Sequence, residues 1–262
     1  EIPLRLVGSE MCIRDRVFKE HWQALEKIGE VKRFMLPTDI DGKSLAEKLQ
    51  GFNVVVASVT PNFNQEFFDN KDELLLISRH GIGYNNVDLA AAKAHGTKVT
   101  IVSPLVERNA VAENALANLM ALVRQTVPAG DAIKADHYED RARFMGNQFS
   151  GKTFGVIGAG NIGSRVAELF GIFGGPVLIN DPDPKAPEGW LENNNVQRVS
   201  LDELLERADY ISLNASLNDD DYHLIDAAAL KKVKKGVYFV NHARGALIDE
   251  NAMLAAVEAG QV

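Results

Sequence analysis

The stretch TFGVIGAGNIGSRVAELFG, residues 153–171, decides the fold of the second half of the chain. Its apolar start, FGVI, predicts a short buried strand. Glycines follow at positions 158, 160 and 163, and a helical pattern continues from them. The first glycine permits a tight turn, the second permits a close approach to the backbone, and the third lets the helix pack against the strand. The stretch therefore predicts a strand–turn–helix unit whose helix N-terminus suits an anion.

The next apolar stretch, PVLIND, ends in an acidic residue, Asp181. It follows the glycine turn by roughly 20 residues, the spacing at which a carboxylate meets the adenosine ribose of a dinucleotide. Such a carboxylate accepts hydrogen bonds from the ribose hydroxyls and repels a 2′-phosphate, so NAD is predicted rather than NADP. The alternative is that the glycines serve only a turn. The predicted cofactor-binding residues here are Gly158, Gly160, Asn161, Ile162, Gly163 and Asp181.

Strand-like and helical patterns alternate along the chain from Val17 onward. Their short connections predict an α/β fold with parallel sheets covered by helices on both faces. Pro104 ends the first unit, and the second begins its strands near Thr153.

Between the two units, the apolar pattern of Val106 to Val127 predicts one long helix that Pro128 and Gly130 break. Its broad apolar face either packs inside the protein or forms part of a subunit interface.

The first sixteen residues do not fit this pattern. LVGSEMCIRDR, residues 6–16, shows neither strand alternation nor a helical stripe, and it lacks the apolar core of a signal peptide. It corresponds in one reading frame to a sequencing adapter. We therefore expect residues 1–16 to be foreign to the gene, with a natural variable N-terminus as the alternative.

Composition narrows the function classes. The chain has 262 residues, 46% of them hydrophobic, and a net charge of -8. Without a basic block or an apolar run of membrane length, neither a nucleic-acid partner nor a membrane is expected. The one cysteine, Cys12, excludes an internal disulfide framework, and no metal site is predicted. A cytoplasmic enzyme fits this composition.

Four motifs together resemble the D-isomer-specific 2-hydroxyacid dehydrogenase family. They are RHGIGYNNVD (79–88), NAVAENAL (109–116), the glycine turn and NHARGALIDE (241–250). Their order and spacing match the family over nearly everything from Val17 to Val262.

The resemblance implies two Rossmann-like or flavodoxin-like domains, with the NAD-binding domain inserted into a discontinuous substrate domain. Residues 17–104 would be the N-terminal part of the substrate domain. Residues 105–262 would be the NAD-binding domain, incomplete at its C-terminus. The region of residues 106–127 would also form the homodimer contact.

The resemblance also implies the substrate-binding residues. The backbone of Ile82 and Gly83 matches the site of the substrate carboxylate, although an ordinary strand-ending turn is the alternative. Arg244 matches the catalytic arginine, whose planar fork can bind a carboxylate and the neighbouring carbonyl oxygen of a 2-keto acid. A salt bridge to Asp249 or Glu250 is the other reading of Arg244.

LNASL, residues 213–217, matches the segment that lines the nicotinamide side of the cofactor site. The family usually has histidine and proline where this chain has Asn214 and Ser216, so backbone contacts are expected there. Neither His80 nor His242 matches the family's catalytic histidine. The further cofactor-binding residues predicted from the resemblance are Asn214, Ala215, Ser216 and Ala243.

These features predict an NAD-dependent oxidoreductase that interconverts a small D-2-hydroxy acid and its 2-keto acid. In the family a glutamate and a histidine complete the site, and both would lie beyond Val262. We therefore expect this 262-residue chain to show little or no turnover. The alternatives are a relative acting on 3-phosphoglycerate, formate or phosphite, and an NAD-sensing corepressor or scaffold of the same fold. A nucleotide-binding domain of the S-adenosylhomocysteine hydrolase type is disfavoured by the first and last motifs.

Overall fold

The computed structural model describes residues 5–9, 19–183, 191 and 195–262. These residues divide into two compact units, which lie within Glu1–Val106 and Glu107–Val262. Each unit contains a five-stranded parallel sheet, which confirms the predicted α/β fold. No helix in the described part of the chain is both long and apolar enough to span a membrane.

The first unit orders its strands β2-β1-β3-β4-β5. Its strands are β1 (Arg5–Ser9), β2 (Glu30–Phe34), β3 (Val54–Ala57), β4 (Leu76–Arg79) and β5 (Lys98–Thr100). Its helices are α1 (Lys19–Glu26), α2 (Gly42–Lys48), α3 (Gln65–Asn70) and α4 (Leu89–Ala94). Side-chain oxygens of Asp41, Asn64 and Asp88 accept backbone N–H groups of the first turns and so begin α2, α3 and α4.

Strand β1 lies inside the segment that the sequence sets apart from the fold. It pairs with β2 from Arg5 to Ser9 and with β3 from Leu6 to Gly8. This strand was not predicted because its residues do not alternate, and a strand inside a covered parallel sheet does not need alternation. The foreign origin of residues 1–16 stays a prediction, and Cys12 lies outside the described residues.

The second unit orders its strands β10-β9-β6-β7-β8. Its strands are β6 (Phe154–Ile157), β7 (Val177–Asn180), β8 (Val196–Arg198), β9 (Tyr210–Leu213) and β10 (Tyr238–Asn241). Its helices are α5 (Arg108–Val123), α6 (Thr126–Lys134), α7 (Asn161–Gly171), α8 (Leu201–Arg207), α9 (Ala227–Leu230) and α10 (Glu250–Glu258). This strand order is that of a Rossmann fold up to its fifth strand, with the topological switch point between β6 and β9.

Both faces of the second sheet are covered. On one face, α5 and α7 pack over an aromatic cluster in which the Phe154 ring lies 4.7 Å from Phe170 and 5.3 Å from Tyr210 between centroids. On the other face, buried side chains of α8 and α9 pack against Ile157, Ile211 and Leu213. Burial from both sides explains why these strands are apolar throughout rather than alternating.

The predicted single helix over Val106 to Val127 is wrong. Helix α5 ends at Val123, and Gln125 turns the chain with a left-handed φ of 52°. Pro128 and Gly130, expected to break the helix, instead lie inside α6. Pro128 occupies the first turn of α6, where no intrahelical partner for its missing N–H is needed.

Candidate active site

The glycine turn joins β6 to α7, and two of its glycines are required by packing. Gly158 has a φ of +84°, and a Cβ on it would lie 2.5 Å from the Ala215 Cα atom. A Cβ on Gly163 would lie 1.8 Å from the Gly158 carbonyl oxygen. A side chain at either position would collide with backbone, so the turn and the strand end that carries Ala215 fit together only with glycine.

Gly160 differs from these two glycines because no described residue lies close to where its side chain would be. It precedes α7, and a Cβ built on it meets no atom of the described residues within 4 Å. The first intrahelical bond runs from Ser164 N–H to Gly160 O over 3.0 Å, which leaves the N–H groups of Asn161 and Ile162 without intrahelical acceptors. No described side chain caps α7. Open space beside uncapped N–H groups and a positive helix end fits a pyrophosphate.

Asp181 directly follows β7, beside this turn. Its Oδ2 atom accepts the Ala159 N–H at 2.6 Å, and its Oδ1 atom accepts the Asp183 N–H at 2.7 Å. These two bonds fix the orientation of the carboxylate. Each oxygen keeps a second lone pair with which it can accept a hydroxyl proton, as ribose recognition requires.

Asn214 follows β9, on the other side of the turn. Its backbone N–H donates to Ile157 O at 2.7 Å, and its Nδ2 donates to Ser212 Oγ at 3.0 Å. The Oδ1 atom of Asn214 is buried and accepts no hydrogen bond from the described residues. Ala215 packs its backbone against the turn, and Ser216 is exposed.

Arg244 lies in the loop that follows β10. Asn241 holds this loop, because its Oδ1 accepts the Ala243 N–H at 2.9 Å and its Nδ2 donates to Arg244 O at 3.0 Å. The Arg244 side chain is exposed, and its Nη1 donates to Ala243 O at 2.9 Å. Asp249 is one of the two residues that the sequence offers as an ion-pair partner of Arg244. Its side chain accepts the Ala252 N–H and begins α10.

His242 connects the same loop to α5. Its Nε2 lies 3.0 Å from Asn118 Nδ2, and its backbone N–H donates to Leu213 O. An amide NH₂ group donates, so this contact fits a neutral ring whose Nε2 accepts. The His242 Nδ1 is buried and has no hydrogen-bond partner among the described residues. Burial lowers the pKa of His242, which favours this neutral form. Sequence reasoning missed Asn118, because 124 residues separate it from His242.

Helix α5 also contacts the glycine turn at its first residue. Arg108 Nε donates to Asn161 O at 3.0 Å, and Arg108 Nη2 lies 3.0 Å from Glu168 Oε1. The same helix therefore holds the start of α7 and, through Asn118, the end of β10.

The predicted residues of the second unit lie along one edge of its sheet. In the paired register Ile157 lies beside Leu213, and Leu213 lies beside Asn241. The segments after these strand ends carry the glycine turn, Asn214 and Arg244. This edge is the carboxyl end of the strands at the switch point, where open α/β sheets bind their ligands.

The other predicted residues, Ile82 and Gly83, belong to a loop of the first unit. The chain turns at Gly81, whose φ is +144°, and the Gly81 carbonyl accepts the Val102 N–H at 3.2 Å. Both Ile82 and Gly83 are partly exposed, and no acceptor among the described residues meets their N–H groups. Two available backbone donors are suited to a carboxylate. His80 is exposed, and its backbone N–H donates to Ala57 O.

The described residues contain no group of three or more His, Cys, Asp or Glu side chains that could hold a metal ion.

Residues 116–262 match the family model described as "D-isomer specific 2-hydroxyacid dehydrogenase, NAD binding domain". D-3-phosphoglycerate dehydrogenase of Mycobacterium tuberculosis is 38% identical over 220 residues, which are 84% of this chain and 41% of that protein. The chain thus spans less than half the length of this relative.

Among solved structures, apo D-lactate dehydrogenase from Escherichia coli superposes with a TM-score of 0.83 at 29% identity, covering 99% of this chain and 80% of that one. D-lactate dehydrogenase from Aquifex aeolicus, complexed with NAD and lactic acid, superposes with a TM-score of 0.83 at 26% identity, covering 98% and 74%. The resemblance stated from the sequence motifs is thereby confirmed.

Proposed function

Because the chain belongs to the D-isomer specific 2-hydroxyacid dehydrogenase family, we propose that it interconverts a small D-2-hydroxy acid and the matching 2-keto acid with NAD as cofactor. One observation carries the proposal: the glycine turn, Asp181 and Arg244 all follow strand ends at the same edge of one sheet. The proposed nucleotide site and the cation proposed for an acidic substrate would thus be neighbours in the fold.

The second unit would hold NAD through its backbone and one carboxylate. The N–H groups at the start of α7 would bind the pyrophosphate beside Gly160, where none of the described side chains fills the space. Asp181, with its orientation fixed, would accept the ribose hydroxyls. The remaining proposed cofactor contacts are Gly158, Asn161, Ile162, Gly163, Asn214, Ala215, Ser216 and Ala243.

Arg244 would act on the substrate. NADH supplies a hydride when it is bound. The exposed guanidinium can donate two parallel hydrogen bonds, one to the carboxylate and one to the carbonyl oxygen of a 2-keto acid. Its positive charge would stabilise the negative charge that develops on that oxygen. The first unit would contribute the N–H groups of Ile82 and Gly83 to the substrate carboxylate.

A homodimer through residues 106–127 is part of the proposal. Exposed apolar side chains support it: Met120, Leu122 and Val127 are 40%, 49% and 62% exposed. Neighbouring apolar groups left in water are typical of a surface that a partner covers. A cytoplasmic location, supported by the acidic composition and the single cysteine, completes the proposal.

The proposal is tested by ligand binding to the 262-residue chain. NADH fluorescence is titrated first, and oxamate, an isostere of pyruvate, is then titrated into the NADH complex. Both ligands are expected to bind, and NADPH more weakly than NADH. Competition of glyoxylate, hydroxypyruvate, pyruvate and 3-phosphohydroxypyruvate with oxamate for the NADH complex then ranks the keto acids by affinity. NADH binding without any oxamate binding would instead favour an NAD-sensing scaffold, and a folded chain that binds neither would refute the proposal.

A further inference from the structure

A buried arginine lies directly beneath the loop that carries Ile82 and Gly83. Arg79 is the last residue of β4 and is only 4% exposed. Its Nη1 donates to the carbonyl oxygens of His80 at 2.6 Å and Ala57 at 3.4 Å. Burial of a guanidinium is costly, so this position calls for an explanation.

Asn86 fixes the plane of the guanidinium. The Arg79 Nε donates to Asn86 Oδ1 at 3.3 Å. The Asn86 Nδ2 in turn donates to Ser58 O at 3.0 Å and to Pro61 O at 2.9 Å. Asn86 is itself buried, at 9% exposure. The guanidinium is therefore tied both to the loop after β3 and to the loop after β4.

The guanidinium also packs against the turn at Gly81. A Cβ on Gly81 would lie 3.1 Å from Arg79 Nη1 and 3.3 Å from Nη2. The backbone of Gly81 thus rests close to the charged group, and its φ of +144° leads the chain on to Ile82. The two available N–H donors follow directly after a residue that the arginine supports.

We propose that Arg79 is a positioning residue of the carboxylate-binding loop. It holds the backbone of residues 80–83 in place and sets a fixed positive charge behind the N–H groups of Ile82 and Gly83. This inference rests on the proposed function, because the ligand is the carboxylate of the 2-keto acid. A cation in a poorly solvated position attracts a nearby anion more strongly than a solvated cation does.

The test compares Arg79→Met, Arg79→Lys and the control Arg33→Met in the full chain. Arg33 lies on β2 of the same unit and is exposed, so the control removes one positive charge from the surface of that unit. NADH affinity, oxamate affinity at saturating NADH and the thermal midpoint are measured for each variant. Oxamate affinity reports on the loop, whereas NADH affinity reports on the other unit.

Arg79→Met is expected to weaken oxamate binding about tenfold and to leave NADH affinity within about twofold of wild type. Arg79→Lys keeps the charge but not the planar fork, so it should recover part of the oxamate affinity. If Arg79→Met does not fold, the comparison is made between Arg79→Lys and wild type. Arg33→Met should bind oxamate as wild type does.

Wild-type oxamate affinity in Arg79→Met, or an equal loss in Arg33→Met, would overturn the role of Arg79 and leave the proposed function standing. A wild-type chain that binds NADH but not oxamate would overturn both.

Discussion

Gly160→Ala should separate NADH binding from folding. Gly160 precedes α7 with φ -68° and ψ -157°, angles that alanine can adopt. Its added Cβ would meet no atom within 4 Å in the part of the chain that the structure describes. The methyl group would instead occupy the space proposed for the pyrophosphate.

The effect on stability is small because two contributions oppose each other. Alanine is a poorer residue than glycine at the start of a helix, by roughly 0.5–1 kcal/mol. Replacing glycine also restricts the unfolded chain, which stabilises the fold by roughly 0.4–1 kcal/mol. The free energy of unfolding should therefore change by less than about 0.5 kcal/mol. Forcing one methyl group into a filled contact costs roughly 1–3 kcal/mol, so NADH affinity should fall about tenfold or more.

Fluorescence titration with NADH and thermal unfolding of the same samples measure both quantities. Gly130→Ala is the matched control, because Gly130 lies in α6 with nothing within 4 Å of its added Cβ. It should raise stability by roughly 0.5–1 kcal/mol and leave NADH affinity unchanged. Gly163→Ala should behave in the opposite way to Gly160→Ala, since its Cβ would lie 1.8 Å from a backbone oxygen and destabilise the fold itself.

A Gly160→Ala variant that binds NADH as tightly as wild type would refute the placement of the pyrophosphate at this turn. A large loss of stability in that variant would refute the claim that the space beside Gly160 is empty of protein.

Three further predictions concern single side chains. Asp181→Ala should weaken NADH binding about tenfold and reduce the preference over NADPH, because the proposed ribose acceptor and its negative charge are lost; parallel titrations with both nucleotides check this. Arg244→Ala should weaken oxamate binding to the NADH complex roughly 100-fold, since the two charge-assisted bonds proposed for this exposed side chain are lost; oxamate affinity unchanged from wild type would contradict this. Burial raises the pKa of Asp209. The Thr153 N–H and Lys234 together lower it by more, so the net pKa lies below the ordinary aspartate value. The stabilisation from this lowered pKa is present above the ordinary aspartate pKa and is lost as pH falls through the folded value. Asp209→Asn should therefore lower the free energy of unfolding by about 1 kcal/mol at neutral pH and by little in acid. Urea unfolding at several pH values measures this difference.

The glycine turn was predictable because its determinants are local. A short apolar run, three spaced glycines and a helical pattern lie within nineteen residues, and the structure places β6 and α7 there. The position of Asp181 followed from the same rule, since the length of a strand–helix–strand unit fixes where the next strand ends.

The features that escaped prediction depend on distant partners. The break at Gln125 has no glycine or proline to mark it, and Pro128 is tolerated because it falls in a first helical turn. The contact of Asn118 with His242 and the packing of Arg79 against Gly81 depend on how finished elements meet. No local pattern encodes which buried polar group will face which other one.

Helix α5 has a consequence for how the second unit responds to strain. The helix contacts the first residue of α7 through Arg108 and the residue after β10 through Asn118. These two contacts are ten residues apart along the helix, a length of about 15 Å. The helix therefore sets the distance between the glycine turn and the loop after β10. Shortening the side chain at 118 would change that spacing while every hydrogen bond inside each loop stayed intact.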